Sequence, residues 1–275
     1  MGAYGGKPQP FSRGGQFGYH PSISRQGDRL VYSEQTYADI WQLDLSASQN
    51  GNSPSLNRLV SSSRREDMPH FSPDGKRIAF DSNRSGHWEI WVCDSDGRNP
   101  VQLTSFGGPF TTGTPRWSPN GAFIADAETA GQSSIFVINA ESRMPRSLSS
   151  GKEYSNSVPS WSRDRRWIYF GSNRGGSSQV WKMPVDGGGE PVQVTKKGGF
   201  EAFESFNGTT HYYSKMTEPN EIWKVSTAGG EETRFLANTL WRYWAVGEKG
   251  IYFITLEDRF LVVNFIGFTD ERNFS

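Results

Sequence analysis

One short segment of the chain returns several times, and this repetition constrains the fold more than any other feature. Its copies begin, in chain order, at Pro21, Pro69, Pro115, Pro159, Ala202 and Trp244. The last two copies are weaker, but they keep the same order of apolar and turn-forming residues. A spacing of roughly 40–50 residues is typical of one propeller blade, a unit of four β-strands.

The copy "PHFSPDGKRIAF" shows how one unit is built. A short strand precedes a tight turn, in which Pro73 fixes φ and Gly75 adopts a conformation that other residues resist. A second strand follows, then a third in "WEIWVCD" and a fourth in "PVQLT". Each unit is therefore predicted to be a four-stranded antiparallel sheet that cannot bury both of its faces alone.

The pattern P-x-W-S-P-D-G, followed by I-W and a final L-T, resembles the TolB-like propeller repeat, a distant relative of the WD-repeat blade. The middle copies also resemble the propeller segments of CadC-type winged-helix transcriptional regulators. The first resemblance implies a periplasmic interaction module. The second implies the sensor end of a larger regulator.

We predict an all-β fold, a six-bladed β-propeller that occupies residues 1–275 as one domain. The blades are predicted to start near residues 21, 69, 115, 159, 202 and 244. Residues 8–12, "PQPFS", align with the outer-strand pattern "PVQLT", while the sixth unit ends without a clear outer strand. Residues 8–12 are therefore expected to complete the sixth blade, antiparallel to the strand around 260–266, which removes an exposed sheet edge.

Charge and cysteine content narrow the class of partner. The chain carries 29 basic and 29 acidic residues, a balance that argues against a broad nucleic-acid surface. Its single cysteine, Cys93, excludes an internal disulfide. The N-terminal residues lack the apolar segment of a signal peptide, so the sequence as written predicts a cytoplasmic chain without membrane insertion, whereas the TolB resemblance implies the periplasm.

No motif for catalysis occurs in the sequence. The elbow G-x-S-x-G, the zinc motif H-E-x-x-H and the phosphate loop are all missing, and the four histidines lie at unrelated offsets. We therefore predict no enzyme activity, no cofactor and no metal. Two enzymatic alternatives stay open, namely the gate domain of a prolyl-peptidase-like hydrolase and a propeller lyase that uses channel histidines.

The third strands repeat a tryptophan, at Trp41, Trp91, Trp181 and Trp223. A carbohydrate-stacking surface would need such rings exposed. Their identical position in each unit predicts instead that they pack between neighbouring blades.

A binding site is predicted at the channel mouth formed by the loops from each outer strand to the next inner strand. These loops vary in length and combine aromatic with charged residues, which suits binding by a rigid scaffold. The alternative is that the aromatic residues merely fill the mouth. The predicted site residues are Tyr19, Arg64, Glu66, Asp67, His70, Phe110, Arg116, Tyr154, Phe200, Glu201, Trp241 and Arg242.

The expected ligand is a protein or peptide partner or a small molecule, without direct nucleic-acid binding. Replacing Asp67, Arg116 and Arg242 together is expected to weaken binding without lowering the melting temperature, on the premise that all three lie at the surface.

Overall fold

The computed structural model describes residues 9–13, 18–34, 39–46, 55–108, 111–129, 132–149, 153–215, 217, 220–257 and 260–268. Within these ranges the chain forms strands β1 to β24 joined by turns and loops. No helix in the described part is long and apolar enough to cross a membrane.

The described strands form six antiparallel sheets of four strands each. The first two sheets consist of β2 to β5 (Gly18–Ile23, Arg29–Glu34, Asp39–Asp44, Ser55–Val60) and β6 to β9 (Glu66–Phe71, Arg77–Ser82, Glu89–Asp94, Val101–Gln102). The next two consist of β10 to β13 (Thr111–Trp117, Phe123–Thr129, Gln132–Ile138, Pro145–Ser147) and β14 to β17 (Asn156–Trp161, Trp167–Gly175, Ser177–Pro184, Val192–Gln193).

The fifth sheet is continuous in sequence, whereas the sixth combines both ends of the described chain. The fifth consists of β18 to β21 (Ala202–Glu204, Thr210–Lys215, Asn220–Ser226, Thr233–Thr239). The sixth consists of β1 (Gln9–Arg13), β24 (Phe260–Gly267), β23 (Gly250–Glu257) and β22 (Trp244–Val246), in that spatial order. We number the sheets as blades 1 to 6 in this order. The chain is thus an all-β propeller.

Hydrophobic clusters join each blade to the next around the ring. Between blades 1 and 2, Val31 and Ile40 pack with Phe71 and Phe80. Equivalent clusters join blades 2 and 3, 3 and 4, 4 and 5, and 5 and 6. A further cluster, which includes Leu30, joins blade 1 to blade 6. The apolar faces of each sheet are therefore buried by its two neighbours, as expected of units that are not stable alone.

The repeated tryptophans of the third strands pack against these clusters, as predicted, but each stays half-buried. Cationic side chains cover the rings of Trp91, Trp181 and Trp223. The Arg84 guanidinium lies 5.0 Å from the ring centre of Trp91, and the Lys215 ammonium lies 3.3 Å from that of Trp223. Arg174 covers the ring of Trp181 in the same way.

The prolines that mark the first four repeats lie inside the first strand of each blade, not at its start. The first strands of blades 1 to 4 begin three or four residues earlier than predicted. Each strand changes register at its proline, and the preceding residue has a positive φ, as in Met68 (50°) and Val158 (48°). Proline has no N–H to donate, so within a strand it is accommodated at a bulge.

The strand at the N-terminal end was predicted at residues 8–12, and Pro8 lies outside the described residues. The structure has it at Gln9–Arg13, where Gln9 pairs with Phe265 and Arg13 pairs with Val262. The register changes between Pro10 and Arg13, so the simple alignment with "PVQLT" does not carry through the whole strand.

Candidate functional site

The residues that recur in most copies hold the turn of the inner hairpin. In blade 2 the Ser72 hydroxyl donates to Asp74 at 2.6 Å and accepts the Arg77 N–H at 2.9 Å. Blades 4 and 5 repeat both bonds with their own serines, at Ser162 and Ser205. These positions recur because the hairpin needs them. Their recurrence is therefore explained by folding and does not indicate a role in recognition.

The positions that do not recur line a cavity of about 360 Å³ at the end of the channel formed by these hairpin turns. The residue that follows the blade-opening position contributes to the wall in all six blades. These six side chains are Ser22, His70, Arg116, Ser160, Phe203 and Ala245. The bulge just before this position in blades 1 to 4 sets the direction of the side chain.

A second layer of the wall comes from the turns themselves. The residues after the turn serines line the cavity in five blades, and they are Arg25, Pro73, Pro119, Arg163 and Phe206. Between the two layers lie aromatic residues that include Phe71, Trp117 and Trp161. The cavity therefore combines aromatic walls with three arginines.

Arg163 is fixed by its neighbours. Its guanidinium lies 3.9 Å from the ring centre of Phe206, and its Nη2 donates to the Glu204 carbonyl at 3.2 Å. Burial lowers the pKa of Arg163, and the positive charge of Arg25 lowers it further, whereas the Glu204 carboxylate opposes both. Arg25 and Arg163 are therefore close enough to repel each other.

Glu204, the acidic residue in this wall, already has partners for both of its carboxylate oxygens. Oε1 accepts the Tyr169 hydroxyl at 2.6 Å, and Oε2 accepts the Arg163 backbone N–H at 2.7 Å. Burial and this carboxylate raise the pKa of the Tyr169 hydroxyl. Tyr169 therefore stays protonated and keeps donating to Glu204.

His70 contributes a donor of fixed direction to the cavity. Its Nδ1 accepts the Trp117 backbone N–H at 3.2 Å, so the neutral ring carries its proton on Nε2. Burial and the charges of Arg116 and Arg163 lower the pKa of His70 well below its ordinary value. The ring is therefore neutral near pH 7.

On the side of the predicted loop mouth, buried charges cross the channel. Oε1 of Glu201 accepts hydrogen bonds from Arg116 at 3.1 Å and from Arg242 at 3.2 Å. The side chains of Glu201 and Arg242 are 2% and 6% exposed. His20 lies 3.9 Å from Asp67 in the same region, and burial lowers the pKa of His20 to about 4. We call Arg116, Glu201 and Arg242 the channel ion cluster.

The structure brings together part of the predicted site and separates the rest. Arg116, Glu201 and Arg242 meet in the channel ion cluster, and His70 and Arg116 line the cavity. Asp67 accepts a hydrogen bond from Ser33 of blade 1.

Two other predicted residues, Phe200 and Trp241, border this cluster, since the Arg242 guanidinium lies 5.9 Å and 5.5 Å from the centres of their rings. Glu66 is fully buried in an ion pair with Arg84, and Phe200 is half-buried. Exposed positions on the loops are Arg64, Tyr154 and Trp241. Phe110 and the side chain of Tyr19 lie outside the described residues.

The premise that Asp67, Arg116 and Arg242 are surface residues is wrong. The Arg116 and Arg242 side chains are 13% and 6% exposed, and both donate to a carboxylate that is itself buried. Replacing them removes buried ion pairs, which costs stability. Loss of binding in such a variant would therefore not separate recognition from folding.

The sequence analysis missed Arg25, Arg163, Phe203, Glu204 and Phe206 as wall residues of one cavity. A signal for most of them existed in the repeat itself. Where copies of one hairpin are superimposed, the positions that agree build the turn, and the inward positions that disagree are free to bind.

The histidines do not gather into one site. His20 packs against the Tyr243 ring, His70 accepts the Trp117 N–H, and the His211 ring lies 4.5 Å from that of Tyr169. Within the described ranges, no three His, Cys, Asp or Glu side chains lie close enough together to hold a metal ion.

Comparison with known proteins places this geometry in a family. The profile described as "TolB beta propeller domain" matches residues 105–242. A TolB homolog of Chlorobium chlorochromatii is 41% identical over 165 residues, which cover 56% of this chain and 36% of that protein. The chain spans between 28% and 39% of the length of the curated relatives it matches.

Solved structures share the fold. A structure assigned to TolB of Agrobacterium tumefaciens has a TM-score of 0.70 at 22% identity, covering 80% of this chain and 82% of that one. An oligogalacturonate lyase in complex with manganese has a TM-score of 0.63 at 13% identity, covering 90% and 76%. Identities this low show the fold alone, and the resemblance to CadC-type regulators has no support among these matches. On the family profile, the chain belongs to the TolB-like β-propeller domains.

Proposed function

We propose that the chain is a non-catalytic propeller domain that binds a segment of a partner protein in the cavity at the hairpin-turn end of its channel. The observation that carries the proposal is the composition of the cavity wall. Six inner strands contribute their non-repeating side chains to one concave surface, and these side chains include aromatic residues and arginines. Aromatic and arginine side chains in a concave site are typical of binding hot spots.

The two ends of the channel differ in a way that favours the cavity over the loop mouth. On the loop side, the channel ion cluster uses Arg116, Glu201 and Arg242 to bind one another. On the hairpin side, Arg25 and Phe206 line an open cavity. A segment that enters from the hairpin side would meet side chains that have spare donors and apolar surface.

A binding role is supported over a catalytic one by the positions of the titratable groups. His70 stays neutral and accepts a backbone N–H, and Glu204 is held by Tyr169 and by a backbone N–H. General acid–base chemistry needs a group that can exchange a proton with a substrate near the working pH. In this wall, burial keeps His70 neutral near pH 7, and both carboxylate oxygens of Glu204 are occupied by donors of the protein itself.

Peptide selection tests the proposal. Peptides would be selected from a phage-displayed random library on the intact protein, then synthesised, and their Kd values measured by fluorescence anisotropy. Phe206→Ala removes an aromatic ring from the cavity, and Trp241→Ala is the matched control at the opposite mouth, where the ring is exposed. We expect Phe206→Ala to weaken binding about tenfold or more, as for a hot-spot residue.

Trp241→Ala is expected to change the Kd less than about twofold, since exposed rim residues contribute little. Melting curves would show that both variants fold. The reverse pattern, with Trp241 rather than Phe206 controlling affinity, would place binding at the loop mouth and refute the proposal. A library that yields no peptide would refute it as well.

A further inference from the structure

We infer that the cavity recognises a carboxylate group, held between Arg25 of blade 1 and Arg163 of blade 4. The inference deepens the proposed function and rests on it, since the carboxylate is assigned to the bound segment of the partner, as an acidic side chain or a free C-terminus.

Arg25 and Arg163 occupy the same position of the repeated hairpin. Each directly follows the turn serine of its copy, Ser24 or Ser162, and both side chains line the cavity. Blades 1 and 4 stand opposite each other in a ring of six sheets. The equivalent positions in blades 2, 3 and 5 are Pro73, Pro119 and Phe206, which carry no charge. The cavity therefore has two cationic sides separated by apolar ones.

The two guanidinium groups retain donors for a ligand. Arg163 uses Nε and Nη2 for the carbonyl oxygens of Ser205 and Glu204, which leaves the two N–H groups of Nη1. Arg25 is exposed at its edge of the cavity. A planar group with two acceptor oxygens is the ligand that a guanidinium binds best, through paired charge-assisted hydrogen bonds.

The acidic residue of the wall, Glu204, offsets only one of these two positive charges. The Glu204 oxygens are occupied by the Tyr169 hydroxyl and the Arg163 N–H, and the side chain is 6% exposed. Like charges that face one cavity repel each other, and an anion between them removes this repulsion. The geometry thus favours an anionic ligand over a neutral one.

The number of charges favours a monoanion. Arg116, the third arginine of the wall, shares Glu201 with Arg242 inside the channel ion cluster, and Asp67 supplies a second negative charge in the same region, so these four charges cancel. Arg25 and Arg163 then stand against Glu204, so the wall carries about one net positive charge. His70 is neutral and adds an Nε2–H donor. A dianionic phosphate would meet the Glu204 carboxylate with an excess of negative charge, whereas a carboxylate matches the wall.

A pair of small probes tests the inference on the intact protein. Phenylpropionate carries an aromatic ring for the apolar walls and a carboxylate for the arginines, and phenylpropanamide has the same shape without the charge. Binding would be measured by saturation-transfer NMR and isothermal titration. We expect the acid to bind about tenfold more tightly than the amide, because charge-assisted hydrogen bonds are about twice as strong as neutral ones.

Three substitutions test whether the preference for the acid over the amide arises at the two arginines. Arg25→Gln and Arg163→Gln should each reduce the preference for the acid, and Arg25→Gln leaves the fold untouched because Arg25 is exposed. Arg64→Gln removes an exposed arginine from the opposite mouth and should leave the preference unchanged. Equal binding of acid and amide to the unaltered protein, or an unchanged preference in both cavity variants, would overturn the inference. Failure of the acid to bind at millimolar concentration would overturn it too.

A second arm separates this inference from the proposed function and identifies the source of the carboxylate. Each selected peptide would be compared with versions in which Asp and Glu are replaced by Asn and Gln, or in which the C-terminus is amidated. Peptides that bind equally well without carboxylates would refute the inference and leave the proposed function intact. If no peptide is selected but the probe acid binds at Arg25 and Arg163, the proposed function fails while the anion site stands.

Discussion

Arg116 donates a hydrogen bond to Glu201 across the channel at 3.1 Å, although 85 residues of sequence separate the two. Blade 4 lies between their blades along the chain, so the contact exists only because the sheets form a ring. Arg242 donates to the same oxygen of Glu201 from the segment that precedes blade 6. Three segments far apart in sequence are thereby tied together inside the channel.

Glu201→Gln is predicted to lower the free energy of unfolding by about 3 kcal/mol, because it leaves two buried guanidinium groups without their counter-charge. Urea unfolding of the variant and of the parent measures the difference. Glu231→Gln serves as the control, since Glu231 is exposed. If Glu201→Gln unfolds at the same urea concentration as Glu231→Gln, the channel ion cluster does not stabilise the ring.

The lowered pKa of His211 predicts that the stability of the fold depends on pH. His211 occupies a buried position of β19 beside Tyr169, where burial and then the charge of Lys182 lower its pKa from 6.5 to about 4. Between these two values the unfolded chain binds a proton that the folded chain does not. Stability is therefore full above about pH 6.5 and falls as the pH drops towards 4, by about 3 kcal/mol for this one group.

His211→Leu should flatten this part of the pH profile. Urea unfolding of the variant and of the parent at about pH 8 and about pH 4.5 would give, for each protein, the change in the free energy of unfolding with pH. This change is insensitive to any difference in packing that acts equally at both pH values. His20 and His70 shift in the same direction, so the variant loses only part of the dependence. An identical change with pH in variant and parent would contradict the prediction.

The lowered pKa of Asp164 predicts a second dependence of stability on pH, in a more acidic range. Burial alone would raise the pKa of this carboxyl, but hydrogen bonds from Ser162 and Arg166 outweigh this effect and lower the pKa from 3.8 to about 2. Because the folded value is the lower one, the stabilisation is present above about pH 4 and is lost as the pH falls towards 2. Asp164→Asn should remove this part of the acid-induced loss.

The repeat supplies the control for Asp164. In blade 5 the equivalent Asn207 accepts the Ser205 hydroxyl at 2.7 Å, so asparagine keeps the turn while removing the charge. The reciprocal change, Asn207→Asp, should introduce an acid-dependent loss between about pH 4 and pH 2. Acid unfolding followed by circular dichroism measures both variants, and parallel curves for both and for the parent would exclude the assigned role.

The position of Gly171 is predicted not to tolerate a side chain. A Cβ at this position of β15 would lie 2.5 Å from the carbonyl oxygen of Phe200, the residue before Glu201. Gly171→Ala should therefore destabilise the fold by about 1–3 kcal/mol, as expected for overpacking. Gly175→Ala in the same strand is the matched control, because its Cβ would meet only Trp181 at 3.4 Å. Equal melting temperatures for the two variants would contradict the prediction.

The all-β propeller was predictable because its signals are local. Ser72, Asp74 and Gly75 bond within one turn, and the same bonds recur wherever the motif recurs. The bulge at each proline was not predictable in the same way, since the motif does not show on which side of Pro69 the strand begins.

The site was harder to predict because it depends on contacts between blades. Arg116 and His70 were among the predicted site residues, and both do line the cavity. The bond from Arg116 to Glu201 spans the ring and leaves no trace in any single repeat. Arg163 was not among the predicted site residues, and Arg25, which lines the same cavity, lies in another copy of the repeat.

The inner hairpins place two layers of side chains in the cavity wall, and the difference between the layers has a consequence for how such a protein can change. Ser22, His70 and Arg116 form hydrogen bonds to other blades as well as lining the cavity, so replacing them would disturb the ring. The residues after the turn serines, such as Pro73 and Phe206, line the cavity while the serine itself closes the turn. A new specificity could then arise by exchanging these residues one blade at a time. A combinatorial library restricted to them should yield folded members at a high rate, each with a different preferred ligand.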